Sequence, residues 1–200
     1  MDLSPLPGRS DDCFEHDGLI TKRAVRALAL IRLRPAPGEL LWDVGLGSGA
    51  VAIEWALAAP GARAIGLERR EERADRARRN VTRFGLDERI DVRLGAAGEL
   101  VTALAKDEGS APDAVFFGGG VDRETVRCCW AALRPGGRLV VHGVTLETAA
   151  LLVELHRELG GELSRIQLEA AEPIGRFTGW KPARPIVQWV AHRPAEPVTA

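Results

Sequence analysis

The chain has no run of 18 apolar residues, no positively charged leader followed by an apolar stretch, and no lipidation signal. These absences predict a cytoplasmic protein without membrane attachment. Cysteine is scarce as well: Cys13, Cys128 and Cys129 are odd in number, and the adjacent pair falls on a predicted helix where the two thiols cannot easily meet. No disulfide framework is expected, and no metal site either. Net charge is nearly missing too, since 27 Lys and Arg against 28 Asp and Glu leave −1, too little to gather a polyanion such as nucleic acid. Only Lys22, Lys106 and Lys181 are lysine, so 27 − 3 = 24 of the basic residues are Arg, the better clamp for carboxylate or phosphate. An anionic substrate must therefore meet a local basic patch.

What is present suffices for one core. At 46% apolar content, 200 residues can bury a substantial interior but not two domains of ordinary size. The expected organisation is an N-terminal arm over 1–20 and a single domain over 21–200. The arm, with Pro5, Pro7 and Gly8, has no periodicity at its start. From Thr21, a favourable N-cap, Ala24, Val25, Leu28 and Ile31 recur at helical spacing up to Pro35.

Strand and helix patterns then alternate five times. Strands are predicted at Leu40–Val44, Ala64–Leu67, Ile90–Leu94, Ala114–Phe117 and Leu139–His142. Helices are predicted at Ala50–Ala58, Glu71–Phe84, Glu99–Ala105, Arg123–Leu133 and Leu146–Leu159. Such alternation implies an α/β fold with a parallel sheet and helices on both faces. The tail breaks the rhythm: Leu163–Ala171 and Ile186–Ala191 read as strands joined by a polar loop over 172–185 without a helix. They are expected to pair antiparallel at the sheet edge. The outcome is a mostly parallel seven-stranded sheet with an antiparallel last strand, the Rossmann-like plan of class I methyltransferases.

Asp43-Val44-Gly45-Leu46-Gly47-Ser48-Gly49 joins the first strand to its helix. Glycines there allow a tight turn and let a ligand approach bare main-chain N–H groups. Glu68 ends the next strand, 68 − 45 = 23 residues after the first glycine, where a carboxylate can accept both hydroxyls of a ribose; Arg69 follows it. A dinucleotide fingerprint G-x-G-x-x-G needs glycine at position 50, but Ala50 stands there. Asp43 would repel a pyrophosphate, whereas it suits a cationic methionyl ammonium or fixes the loop. The loop therefore favours S-adenosyl-L-methionine, with S-adenosyl-L-homocysteine as product. Gly95-Ala96-Ala97-Gly98 leaves room for a flat adenine, so Ala96 and Ala97 join the expected cofactor set. Phe117 and Gly118 should border the transferable methyl, with Gly119 and Gly120 giving substrate access. That segment lacks the Asn/Asp-Pro-Pro-aromatic pattern used on exocyclic amines, and the pocket-forming loops hold no cysteine nucleophile. The chemistry reads as attack by a carbon that the substrate itself has made nucleophilic.

Several segments carry a resemblance to one family along nearly the whole chain. They are residues 11–23 (Asp-Asp-Cys-Phe-Glu-His-Asp-Gly-Leu-Ile-Thr-Lys-Arg), 41–49 around the glycine loop, Phe117–Gly120, and 173–182 (Pro-Ile-Gly-Arg-Phe-Thr-Gly-Trp-Lys-Pro). The chain resembles the decarboxylating C15-methyltransferases of cobalamin biosynthesis, acting on precorrin or cobalt-precorrin, and most the C-terminal domain of the C5,15 enzymes. The resemblance implies methylation of C15 of a precorrin together with loss of CO2 from the acetate on C12. It implies that Thr21 and Lys22 fold over the cofactor and that His16 can protonate or hydrogen-bond the macrocycle. It also implies a homo-oligomer, commonly a tetramer in this family, and a C5-methylating domain in a longer enzyme. Leu46 departs from the small residue usual at that loop position and is expected to narrow the cofactor entrance. In the tail, Arg176, Trp180, Lys181 and Arg184 combine cations with an aromatic surface, which suits a flat polycarboxylate. Two other readings stand beside this one. The first is a tRNA base methyltransferase of the same fold, which the near-zero charge and lack of an added RNA-binding domain disfavour; the second is an inactive cofactor-binding module.

Overall fold

The computed structural model describes residues 4–195, so the first three residues of the expected arm and the last five of the tail lie outside the described residues. Strands β1 (Leu40–Val44), β2 (Arg63–Glu68), β4 (Ala114–Phe117) and β5 (Arg138–Gly143) are buried at nearly every position. A sheet covered on both faces demands apolar residues on both, which is why these strands show no alternation. Strand β3 (Ile90–Leu94) sits at one edge and is half exposed.

Helices α1 (Arg23–Leu33), α2 (Ala50–Ala58) and α3 (Glu71–Arg83) build one core against the sheet. The second core lies under α4 (Ala97–Leu104), α5 (Arg123–Ala132) and α6 (Leu146–Leu159). Strands β6 (Glu162–Ile166) and β9 (Ile186–His192) complete a seven-stranded sheet in the order β3-β2-β1-β4-β5-β9-β6. β9 runs antiparallel to both of its neighbours; β1 to β5 are parallel. The strand order reverses between β1 and β4, and in sheets of this type a ligand binds outside the carboxyl ends at that point.

Three features differ from the sequence reading. Thr21 is not the N-cap of α1: the cap position is Lys22, without a side-chain cap bond, and the Thr21 carbonyl accepts from Arg26 Nη1 at 2.6 Å instead. Arg26 needs that acceptor because it is fully buried. In the tail, the expected long strand is broken in two and the expected polar loop is itself structured. Strands β7 (Glu169–Ile174) and β8 (Phe177–Pro182) form a separate two-stranded hairpin that turns at Gly175-Arg176. The antiparallel pairing expected at the sheet edge is present between β6 and β9, with β6 outermost.

Helix direction decides which end of α1 faces the switch point. Arg138, the first residue of β5, donates from Nε to Leu33 O and from Nη2 to Arg34 O at 2.8 Å, satisfying carbonyls at the C-terminus of α1. Helix α1 therefore runs opposite to β5, and its N-terminus lies at the carboxyl edge of the sheet. The hairpin leaves β6 and re-enters β9 at that same edge, since Ile166 pairs with Ile186 and Val187 with Gly143, the last residue of β5. No helix of the described residues is long and apolar enough to cross a membrane.

Candidate active site

The first turn after β1 is built from left-handed glycines. Gly45, Gly47 and Gly49 have φ of 79°, 59° and 77°, a region that side chains strain to adopt. Close approach adds to the demand at Gly45, where a Cβ would stand 3.0 Å from Gly119 O. The glycine segments after β1 and β4 thus meet backbone to backbone, and Gly118 N donates to Val44 O at 3.2 Å. Gly45 N and Leu46 N both donate to Leu67 O at 3.0 Å, which pins the loop to the end of β2.

Glu68 completes that attachment. Its side chain is buried, 5% exposed; Oε2 accepts from Gly47 N at 2.9 Å and Oε1 from Arg70 N at 3.0 Å. Each carboxylate oxygen has two acceptor positions, so one on each remains for a ligand hydroxyl. Gly95 N donates to Glu68 O at 2.9 Å, drawing the turn after β3 to the same place. That turn is shorter than expected, because α4 begins at Ala97 rather than Glu99, with Ala96 exposed at its cap. Arg69 is exposed beside Glu68.

Asp43 lies underneath, 1% exposed. Oδ2 accepts from Ala52 N at 3.2 Å, in the first turn of α2, so the carboxylate fixes the loop to the helix behind it. Burial pushes the Asp43 carboxyl up to about 8, against the Ala52 hydrogen bond and with help from the negative charge of Glu68. Of the two roles expected for Asp43, anchoring is visible in the geometry. Leu46 corrects another expectation. Its side chain does not narrow the entrance but turns into the core, packed on Gly66 of β2.

The arm reaches the loop through residues that sequence reasoning missed. Asn80 of α3 is fully buried; Oδ1 accepts from Glu15 N at 2.8 Å, while Nδ2 donates to Glu15 O at 3.0 Å and to Ser48 O at 2.8 Å. One amide thereby joins arm, helix and glycine loop. Asp17 pairs with Arg73 at 2.8 Å and with Arg76 at 3.6 Å, and Glu15 with Arg79 at 2.9 Å, so the arm lies along α3. Leu19 O comes within 4.0 Å of the Cβ position on Gly47. Further back, fully buried Arg26 and Glu54 pair at 3.0 Å. Arg26 also binds Asp11 Oδ1 at 3.0 Å and Arg9 O at 2.6 Å, and Glu54 accepts from Gly8 N at 2.7 Å. A buried ion pair persists only where every polar atom is engaged, and here the arm supplies the partners. The signal existed: Asn80 and Glu54 are polar positions on otherwise buried helix stripes.

Other expected site residues fall into two groups. His16 Nδ1 accepts from Gly18 N at 3.0 Å and closes a turn in the arm, and Lys22 pairs with Asp11 of the same arm at 3.7 Å. The tail residues sit on the hairpin across the edge. The Arg176 guanidinium stands 5.0 Å over the Phe177 ring, Lys181 pairs with Glu172 at 2.8 Å, Trp180 is 72% exposed, and Arg184 is exposed just beyond β8. Side chains alternate along a strand, so Trp180 faces away from Lys181, and that cation does not share one surface with the ring. Among the described residues no cluster of His, Cys, Asp or Glu could hold a metal.

A sheet in this order, glycine segments at its switch point and an acidic residue ending β2 define the class I S-adenosylmethionine-dependent methyltransferase fold. Comparison narrows the class. The family model of the precorrin methyltransferase domain matches residues 12–193. The chain is 50% identical over 183 residues to a precorrin-6Y C(5,15)-methyltransferase (decarboxylating) of a Sinorhizobium species, covering 91% of this chain and 43% of the relative. It is 34% identical over 172 residues to the cobalt-precorrin-6B C(15)-methyltransferase (decarboxylating) of Salmonella typhimurium, covering 84% of this chain and 85% of that one. The crystal structure of the C-terminal domain of precorrin-6Y C5,15-methyltransferase from Rhodobacter capsulatus superposes with a TM-score of 0.88 at 44% identity, over 95% of this chain and all of that one. This chain belongs to the precorrin methyltransferase domain family. It spans less than half the length of the precorrin-6Y relative from Sinorhizobium.

Proposed function

We propose that this chain methylates C15 of a precorrin macrocycle with S-adenosylmethionine and removes CO2 from the acetate on C12. The observation that carries the reading is Glu68, a buried carboxylate that fixes the glycine loop through Gly47 N and keeps one acceptor position per oxygen. The cradle fits the cofactor. Glu68 would receive the ribose hydroxyls, exposed Ala96 and half-buried Ala97 would flank the adenine, and Asp43 would keep the loop fixed to α2 beneath the methionyl end. Gly45, Gly118 and Gly119 leave open backbone where a side chain would intrude. The bound cofactor supplies an electrophilic methyl group on sulfur.

The chain's own contribution is orientation and exclusion of water. The arm over α3, with His16, Thr21 and Lys22, closes one side of the pocket. The hairpin, with Arg176 and Arg184, offers cations to the substrate carboxylates from the other. Two measurements test the reading. Calorimetry should detect binding of S-adenosylhomocysteine and none of NAD, and labelled S-adenosylmethionine should transfer its methyl to a precorrin. NAD binding without S-adenosylhomocysteine binding contradicts the cofactor assignment. Retention of the label in unreacted cofactor with every precorrin supports a binding module instead.

A further inference from the structure

His142 lies where the mechanism has so far used nothing. It is the penultimate residue of β5, at the carboxyl edge, 5% exposed, on the face covered by α1 and α2. Its Nε2 meets Gln188 Oε1 of β9 at 2.9 Å across the His142–Gln188 register pair. Around the pair, Val140, Val141, Trp189 and Val190 are all buried and apolar. A polar pair in such surroundings adds no packing that aliphatic side chains would lack, and its burial costs free energy unless each polar atom is satisfied or used.

Two side-chain atoms of the pair are left over, His142 Nδ1 and Gln188 Nε2. Among the described residues the sole fully occluded side-chain nitrogen or oxygen without a partner is His156 Nδ1, so His142 Nδ1 and Gln188 Nε2 each keep a little open surface. The ring also lies next to the segment expected to border the methyl. Phe116 packs edge-on against it with centroids 5.2 Å apart, and Phe116 Cε1 stands 3.3 Å from where a Cβ on Gly118 would be. One aromatic ring therefore separates the imidazole from Gly118. The N-terminus of α1 approaches the same edge from the arm side.

We infer that His142 is the proton donor to the side-chain carbon that loses CO2, and that Gln188 positions it for this step. The inference rests on the proposed function. The acetate on C12 sits on the pyrrole-derived ring adjoining the C15 bridge, so a residue near Gly118 lies near both reacting carbons. When the bond to the carboxylate breaks, CO2 leaves and the electron pair stays with the CH2 carbon, shared with the conjugated ring. That carbon must take one proton to become a methyl group. The imidazolium Nδ1–H supplies it and returns to neutral imidazole, and Nδ1 regains a proton from water, so each CO2 consumes one proton. Gln188 accepts from Nε2–H throughout, which holds the tautomer and the ring plane. Burial lowers the proton affinity of the free imidazole, against the Gln188 hydrogen bond. An incoming carboxylate raises that affinity, so the proton is taken up with the substrate and released readily once the anion has become CO2.

The test is made on the whole chain with S-adenosylmethionine and precorrin-6B, reading CO2 release and product mass together. Parent protein that gains a methyl and loses CO2 supports the proposed function, and parent protein that does neither overturns it and this inference with it. His142→Asn should slow CO2 release by about 100-fold or more, the range expected for a general acid, and accumulate a methylated product that keeps its carboxylate. Its S-adenosylhomocysteine affinity and melting temperature should match the parent. Gln188→Leu, which keeps the imidazole but frees its orientation, should slow CO2 release by about 10-fold and serves as the readout where His142→Asn does not fold. CO2 release at the parent rate in folded His142→Asn overturns the inference. So does an equal loss of methylation, decarboxylation and cofactor affinity in either variant, which marks the pair as structural.

Discussion

The side chain of Leu46 fills the space that a Cβ on Gly66 would take, its two methyl carbons 2.5 and 2.6 Å from that position. The glycine loop is thus plugged into β2 by its one bulky residue. Removing the plug leaves a cavity, and Leu46→Ala should lose about 2–5 kcal/mol in denaturant unfolding. Gly66→Ala should also destabilise, because Leu46 must move. Unchanged stability in both variants contradicts this packing.

Glu68 fixes the glycine loop and is proposed to receive the ribose hydroxyls, and its replacement should reveal both. Glu68→Ala leaves Gly47 N without its acceptor and the ribose without a charged partner, a loss of roughly 1.5–3 kcal/mol in affinity for S-adenosylhomocysteine. Calorimetry at constant pH measures it directly. Affinity equal to the parent removes Glu68 from the cofactor site.

Asp43 should write itself into the pH dependence of stability. Its folded carboxyl titrates at about 8, above the ordinary value of ~3.9 for the unfolded chain. Between those values the folded state holds a proton that the unfolded state has lost, so stability from this group is complete below ~4 and falls as pH rises to about 8. Asp43→Asn should be flatter than the parent over that window in denaturant titrations at successive pH. Parallel curves for parent and variant would place the Asp43 titration elsewhere.

Much of this architecture was legible because parallel strands buried on both faces and helices between them leave an unmistakable apolar rhythm. Strands at 40–44, 90–94 and 114–117 and helices at 50–58 and 146–159 fall where that rhythm places them. The hairpin did not, since β7 and β8 are exposed at almost every residue and carry no burial pattern to read. Contacts between distant segments were equally hidden. Nothing local says that Arg26 will meet Glu54, that Asn80 will hold Glu15 to Ser48, or that His142 will face Gln188. Gly66, too, has the local signature of an ordinary strand glycine, and only its contact with Leu46 sets it apart.

The hairpin lies apart from the glycine loop, so the substrate contacts proposed for it can be tested separately from cofactor binding. Arg176 and Arg184 stand beyond β5, across the edge from Glu68 and the glycine loop. Arg176→Ala and Arg184→Ala should each lower kcat/KM for the precorrin by a factor corresponding to roughly 1–3 kcal/mol, with S-adenosylhomocysteine affinity unaltered. Steady-state kinetics of the double variant settle the point. Parent-like values would mean that the carboxylates are held elsewhere.

The most direct measurement is mass spectrometry of the products formed by the purified chain from precorrin-6B and S-adenosylmethionine. The account predicts a product that has gained one methyl group and lost one CO2, with S-adenosylhomocysteine formed in equal amount. Unchanged precorrin beside intact cofactor, from protein that binds S-adenosylhomocysteine, would contradict it.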